Sequence, residues 1–362
     1  MEKQEERCVE DSKKDQPTQE KGLMNIFMKS MGMNIDPAEA QYRLICYPKL
    51  INDRKEMESY ASYIPWMTYR EGFKSIGGYE TDTGWGCMIR VAQMMLAYTL
   101  MRHFKHKMDC SQSQGLMVAD IMKNILPLFL DNLAQHESPF SIQNIIKEGE
   151  KLIGKGAGEW YGAHSISQVI KTVNENYNMQ YTTYKILTFN DGIIYKNEID
   201  EVLTFNPLNG CCIIIPLRLG LKKIDKCYYT QIKKALSHPC SAGILGGKKT
   251  YALYCIGYFD EKLITQDPHT IQDVVDEIDE DSFSTYVSRG SKIINFSDSD
   301  TTMAFCFFCN CPEDAILLYE SIEEWQTQAN DQDEYLISIK EQKQEYVHDK
   351  DEGEIVDDFE LL

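Results

Sequence analysis

From Cys87 to about His106 the chain carries neither glycine nor proline, and nearly every residue suits a helix. Ile89, Ala92, Leu96 and Leu100 mark one face, and Val91, Met95 and Tyr98 fill the positions beside it. So broad an apolar surface cannot lie on water, so this helix belongs inside the protein with the rest of the chain packed around it. Immediately before it stands Gly84-Trp-Gly86, a turn that delivers Cys87 to the helix start. A helix N-terminus carries unpaired N–H groups and a partial positive charge. A thiol placed there loses its proton more easily, and the thiolate is the nucleophile. The two glycines allow a second molecule close to the sulfur. Cys87 therefore has two readings, a catalytic nucleophile or one more small buried hydrophobe, and the residue alone does not choose between them.

The chain has 362 residues, enough for one large domain or two modest ones. Its net charge of -19 argues against non-specific nucleic-acid binding and favours partners with basic surfaces. The start, Met1-Glu-Lys-Gln-Glu-Glu-Arg7, is charged and lacks the apolar core of a secretion signal, and no apolar run is long enough to span a membrane. A cytoplasmic protein with its twelve cysteines reduced is the simplest expectation. Cys306-x-x-Cys309 with Cys311 invites a zinc reading, but a second ligand pair at suitable spacing is missing and Ala304-Phe-Cys-Phe-Phe-Cys309 reads as a buried strand. No metal and no cofactor are expected. The glycine-rich loop Gly154–Gly162 lacks the Lys-Ser or Lys-Thr that closes a phosphate-cradling loop, so no nucleotide site is expected either.

Residues 1–35 read as a disordered arm, 36–328 as the folded domain and 329–362 as a mobile acidic tail. From Asp331 onward twelve carboxylates face only three lysines. Helices are expected over 87–106, 114–134, 141–153 and 225–236, with another after Ser165, whose side chain would cap it. Strands are expected at 211–219, 251–258, 262–266 and 302–308, paired mostly antiparallel through short hairpins. Helices first and strands later make an α+β domain.

A cysteine nucleophile needs a base, and the base needs a group to orient it. Of the seven histidines, His103 and His106 fall at the expected solvent end of a Lys/Arg-rich helix, His136 and His238 in polar connections, and His348 in the tail. His269 stands apart in Asp267-Pro-His-Thr270, directly after a short strand, where a side chain reaches a cleft from a rigid base. Asp267 is placed to hold the imidazole, and Pro268 stiffens the link. An ordinary turn remains the alternative.

Together these pieces resemble the autophagins, the autophagy-related cysteine peptidases with a papain-like fold. The matching stretches are Tyr69-Arg70, Ile76-Gly-Gly78, Asp82-Thr-Gly-Trp-Gly-Cys-Met-Ile-Arg90 and Gly158-Glu-Trp-Tyr-Gly162. They continue with Ile215-Pro-Leu-Arg-Leu-Gly-Leu221, Gly243-Ile-Leu-Gly-Gly-Lys248, Ile256-Gly-Tyr258 and Asp267-Pro-His-Thr270, in family order across roughly residues 42 to 310. The resemblance implies a papain-like domain whose helical part carries the nucleophile Cys87 and whose mainly antiparallel sheet carries the base His269 and its acid Asp267. It also implies that Tyr69 helps hold the oxyanion and that Trp160 covers the site and contacts a glycine-ended substrate. Lys249 stands where family members often carry a proline after Gly-Gly-Lys, which puts a gating role for that loop in doubt.

The implied substrate is a ubiquitin-like autophagy modifier of the GABARAP type, cut after its C-terminal glycine. Both precursor processing and release from phosphatidylethanolamine (delipidation) follow, so membrane contact would be indirect, through the lipidated substrate. Phe359-x-x-Leu362 after two aspartates looks like the short motif that binds such modifiers as an added strand. The competing readings are a papain-like peptidase for another ubiquitin-like modifier and a non-catalytic adaptor that only binds the modifier.

Overall fold

The apolar run at Cys87 is the axis of the computed structural model, as helix α1 (Cys87–Cys110). The structure describes residues 61–110, 118–132, 137–178, 182–288, 290–327 and 335–343. The arm at 1–35 and the terminal Phe359 and Leu362 lie outside the described residues, as does most of the acidic tail. Every residue from Trp85 to His103 is buried, so this part of α1 is covered on all sides, as its broad apolar surface requires.

Three helices flank α1 on one side of a sheet: α2 (Val118–Ile125), α3 (Ile142–Ile153) and α4 (Ala163–Tyr177). The expected helix over 114–134 is cut short: α2 ends at Ile125 and one 3-10 turn, Leu126–Phe129, follows, because Pro127 cannot continue an α-helix. Ser141 caps α3 by accepting from the Asn144 N–H. Ser165 caps nothing; α4 starts earlier, with extended Gly162 as its N-cap and no side-chain cap.

In chain order the strands are β1 (Tyr69–Ile76), β2 (Tyr79–Thr81), β3 (Tyr184–Thr188), β4 (Ile193–Tyr195), β5 (Gly210–Arg218), β6 (Ser241–Lys248), β7 (Tyr251–Phe259), β8 (Lys262–Gln266), β9 (Ile271–Asp273), β10 (Lys292–Asn295), β11 (Thr302–Cys309) and β12 (Ser338–Lys340). The central sheet runs β10-β8-β7-β6-β11-β5-β3. All its pairs are antiparallel except β3 with β5. The order of helices and strands differs from the expectation. β1 and β2 precede α1, and helices α5 (Lys196–Phe205), α6 (Tyr229–Ser237), α7 (Glu280–Ser284) and α8 (Pro312–Thr327) are interleaved with the strands. Of these four, α6 falls at the helix expected over 225–236, and the other three are additional.

Successive side chains of a strand face opposite ways, and the core divides accordingly. Cys212, Ile214, Cys306 and Phe308 pack toward α1 and its neighbours. Cys211, Ile213, Ile215, Phe305, Phe307 and Cys309 pack toward α5, α6 and α8. Helices on both faces explain why β5 and β11 read as continuous apolar runs. Cys306 and Cys309 are fully buried strand residues, as read from the sequence. Burial pushes the thiols of Cys212 and Cys255 up to about 12, so both are protonated packing groups.

Two histidines sit differently from expectation. His103 is buried against Tyr184 and Phe308 where the sheet covers the last turns of α1, and its Nε2 meets Thr183 Oγ1 at 2.9 Å. Burial, helped by Lys107 and His106, lowers its pKa to about 3, so the ring is neutral. His238 is also buried, accepting from the Cys240 N–H at 3.1 Å and facing Ser321 at 3.2 Å.

Candidate active site

Cys87 is the first residue of α1, so its N–H is one of the four helix donors that have no partner within the helix. The turn before it is tied down from inside. Asp82 accepts from the Trp85 and Gly86 N–H groups through its carbonyl, and its carboxylate accepts from the Arg70 N–H at 2.7 Å. A Cβ on Gly86 would fall 2.3 Å from Asp82 Oδ2, so only glycine fits there. Arg90, one turn into α1, grips Asp82 through Nε at 2.9 Å and Nη2 at 3.0 Å, Asp131 through Nη2 at 2.9 Å and Gln93 through Nη1 at 3.0 Å. This network is almost wholly dry, and it locks strand β1, the turn and the helix start into one unit.

The sheet brings the second half of the site. β8 ends at Gln266, and Asp267-Pro-His269 leaves from its end. His269 Nδ1 lies 2.6 Å from Asp267 Oδ1, and the same oxygen accepts from the His269 N–H at 3.0 Å. The Nδ1 edge being so occupied, Nε2 is left for the Cys87 thiol, which is close enough to interact with the ring. The Tyr69 N–H donates to the Pro268 carbonyl at 2.9 Å, and β1 pairs in parallel with β9 just beyond. That pairing sets the Tyr69 ring edge-on to His269 at 5.3 Å and its hydroxyl against Cys87. The four residues named from the sequence as nucleophile, base, acid and oxyanion holder are thus gathered at one place.

The electrostatics favour a charged imidazole. Burial alone lowers the His269 pKa, but the hydrogen bonds with Asp267 and Cys87 outweigh it and the net direction is up. Burial pushes Asp267 up, yet its bonds from His269, Lys292 and Tyr251 hold it well below the usual carboxylate range. Burial, with the nearby Cys87 and Asp82, raises the Tyr69 phenol, which stays a proton donor.

Stability follows with a definite sign. A raised His269 pKa stabilises the fold below its unfolded value of about 6.5, and that contribution fades as pH climbs through the folded value. A depressed Asp267 stabilises above its unfolded value of about 3.9 and loses this as pH falls through the folded value. The pair contributes most between about pH 4 and pH 6.5. Asp267→Asn is expected to lower the melting temperature most in that window and less above it; thermal melts across a pH series that gave a constant gap would remove the pair as the cause.

Trp160 lies in the loop before α4, partly exposed, and donates from Nε1 to the Gly84 carbonyl at 3.2 Å, which puts the indole over the turn that presents Cys87. The loop rests on Tyr79, whose hydroxyl would lie 2.5 Å from a Cβ on Gly158, a residue at φ +83°. Lys249 is exposed in the β6–β7 turn beside Thr250, which takes φ +63°.

Three side chains around the site carried no signal in the sequence. Tyr251 stacks flat on His269, donates to Asp267 Oδ2 at 2.9 Å and accepts from Lys292. Lys292 pairs with the same carboxylate oxygen. Trp66 donates from Nε1 to the Asp267 carbonyl at 2.7 Å. Asp82 and Arg90 were visible inside the Cys87 motif but had no assigned role; a charged pair astride an apolar helix start was the available clue.

A thiol at a helix start, an imidazole held by a carboxylate and a phenol beside the sulfur are groups that can together carry out acyl transfer to cysteine. Comparisons with known proteins agree with that chemistry. The model of the peptidase C54 catalytic domain matches residues 54–321. A probable cysteine protease ATG4 of Candida glabrata is 32% identical over 234 residues, which is 64% of this chain and 46% of that relative. The cysteine protease ATG4B of Gallus gallus is 30% identical over 293 residues, covering 69% of this chain and 71% of the relative. The cysteine protease ATG4A of Homo sapiens is 29% identical over 286 residues, covering 69% of each. Since the domain match spans well over half of the sequence, the chain belongs to the peptidase C54 family of cysteine-type peptidases, the autophagins it resembles.

Proposed function

We propose that this peptidase cleaves a ubiquitin-like autophagy modifier of the GABARAP type after its C-terminal glycine, both to process the precursor and to release it from phosphatidylethanolamine. The observation that carries the reading is the Asp267–His269–Cys87 line at the start of α1, with Tyr69 beside the sulfur. Residues 36–328 are the catalytic domain in this reading, and 329–362 a tail that adds affinity.

The chemistry follows from the groups present. The Cys87 thiolate adds to the glycine carbonyl carbon, and the Tyr69 hydroxyl and the Cys87 N–H donate to the oxyanion. Protonated His269 gives its proton to the departing amine, which is an amino-acid nitrogen in the precursor and an ethanolamine nitrogen in the lipid conjugate. The bond that breaks is an amide in both cases, so one site serves both reactions. Water then adds to the thioester carbonyl with His269 as base, and the C–S bond breaks. The modifier leaves with a free glycine carboxylate, and the sulfur stays on Cys87 and shares the proton that His269 took from the water. Trp160 over the Gly84 turn narrows the approach, which favours a residue without a side chain next to the scissile bond. No helix among the described residues is long and apolar enough to cross a membrane, which fits contact with a bilayer through the lipidated substrate alone. A cytoplasmic location belongs to the same reading.

A GABARAP-type precursor with a C-terminal reporter tests this against a ubiquitin precursor carrying the same reporter. Release from the first and not the second is expected. Phe359→Ala combined with Leu362→Ala is expected to weaken binding in a titration while slow cleavage persists. Equal release from both precursors would overturn the substrate assignment, and unchanged binding would remove the tail from it.

A further inference from the structure

In the central sheet β8 lies between β7 and β10 and is antiparallel to both. The starts of β7 and β10 therefore meet the end of β8, where Asp267 emerges. Tyr251 is the first residue of β7 and Lys292 the first of β10. Two side chains from neighbouring strands thus converge on the carboxylate that orients the imidazole.

We propose that Tyr251 and Lys292 are positioning residues of this site: the Tyr251 ring fixes the plane of the His269 imidazole, and the two polar tips fix Asp267 through the oxygen that the imidazole does not use. The Tyr251 and His269 rings lie 3.6 Å apart between centroids with 6° between their planes. The Tyr69 edge also bounds the imidazole, at 5.3 Å and 84°. A ring stacked on one aromatic and flanked by the edge of another cannot turn about its own bond without losing contact. Below it the carboxylate oxygens divide their work. Oδ1 takes His269, while Oδ2 takes the Tyr251 hydroxyl at 2.9 Å and pairs with Lys292. Lys292 Nζ also donates to the Tyr251 hydroxyl at 3.0 Å and lies 5.3 Å from its ring centre, which closes a triangle behind the imidazole.

His269 has to receive a proton from Cys87 and then deliver it to a leaving amine that arrives from another direction, so a small tilt of the ring costs rate. Displacements of about 1 Å cost on the order of 100-fold. The titratable groups facing His269 are Cys87 from α1, Tyr69 from β1, Asp267 beyond β8 and Tyr251 from β7, with Lys292 of β10 acting through Asp267. Lys292 draws part of the Asp267 charge toward itself. Its removal leaves that charge to the imidazolium, which holds its proton to higher pH.

This inference rests on the peptidase reading, and the test separates the two. Reporter release and the rate of Cys87 alkylation by iodoacetamide are measured against pH for the parent, Cys87→Ala, Tyr251→Phe, Tyr251→Leu and Lys292→Met. Tyr251→Leu is expected to lose about 10- to 100-fold in kcat at nearly constant KM. Tyr251→Phe, which keeps the stacked ring, is expected to lose clearly less. Lys292→Met is expected to move the alkaline limb of the release profile upward. If Cys87→Ala still releases the reporter, the peptidase reading itself fails. If Cys87→Ala is inactive but Tyr251→Leu and Lys292→Met keep the parent's kcat and pH profiles, the positioning role alone is overturned. A rise in KM without a fall in kcat would overturn it too, making Tyr251 a substrate contact. Should Tyr251→Leu fold poorly, the Lys292→Met profile decides.

Discussion

Cys87→Ala is expected to abolish reporter release, with a loss on the order of 10⁴-fold or more, while leaving the melting temperature nearly unchanged. The two halves of that expectation have separate causes. Without the sulfur no thioester forms, and His269 and Tyr69 have nothing to activate or stabilise. The fold, however, loses only one small buried atom, and alanine is the best helix former. The cost of the vacated space is at most about 1 kcal/mol. Release assays and thermal melts on the same preparation check both halves. An inactive variant that also melts far below the parent would mean that Cys87 matters for packing, the alternative that the sequence left open.

The opposite pattern is expected one turn further along α1. Arg90→Leu is expected to destabilise the fold by about 3–5 kcal/mol, read as a lower urea midpoint. Arg90 is the shared partner of two buried carboxylates, Asp82 and Asp131. Leucine leaves both buried charges without the direct ion-pair partner they share. Arg90→Lys is expected to recover little, because an ammonium cannot reproduce the fork that reaches Asp82 with two nitrogens and Asp131 and Gln93 besides. Activity falls with stability here, since the same network holds the turn that presents Cys87. A leucine variant as stable as the parent would show that the network is replaceable by apolar packing.

These two substitutions also mark how much could be read in advance. Cys87 and His269 stood out as candidates through local chemistry, a helix start after Gly-Trp-Gly and a carboxylate two residues from an imidazole, but their catalytic reading came from the family resemblance. The interior strands β5 and β11 were legible as unbroken apolar runs. β6 was not, because Ser241-Ala-Gly-Ile-Leu-Gly-Gly-Lys248 has little intrinsic strand preference; it is a strand because β7 and β11 both pair with it. β3 likewise exists as the parallel edge partner of β5. His103 was misjudged because its burial depends on Tyr184 and Phe308, which are distant in sequence.

Helix periodicity, turn chemistry and residues two apart place a buried helix that opens with a cysteine, and a histidine after a strand with an aspartate at hand; these are local features that the chain carries without its fold. The family came instead from the resemblance of several motifs taken together across the chain. Only the tertiary structure decided that Asp82 and Asp131 share Arg90, and that Tyr251 and Lys292 stand behind His269. Such contacts are made where strand ends and helix ends meet, and their geometry is fixed by sheet order and register rather than by any pattern along the chain.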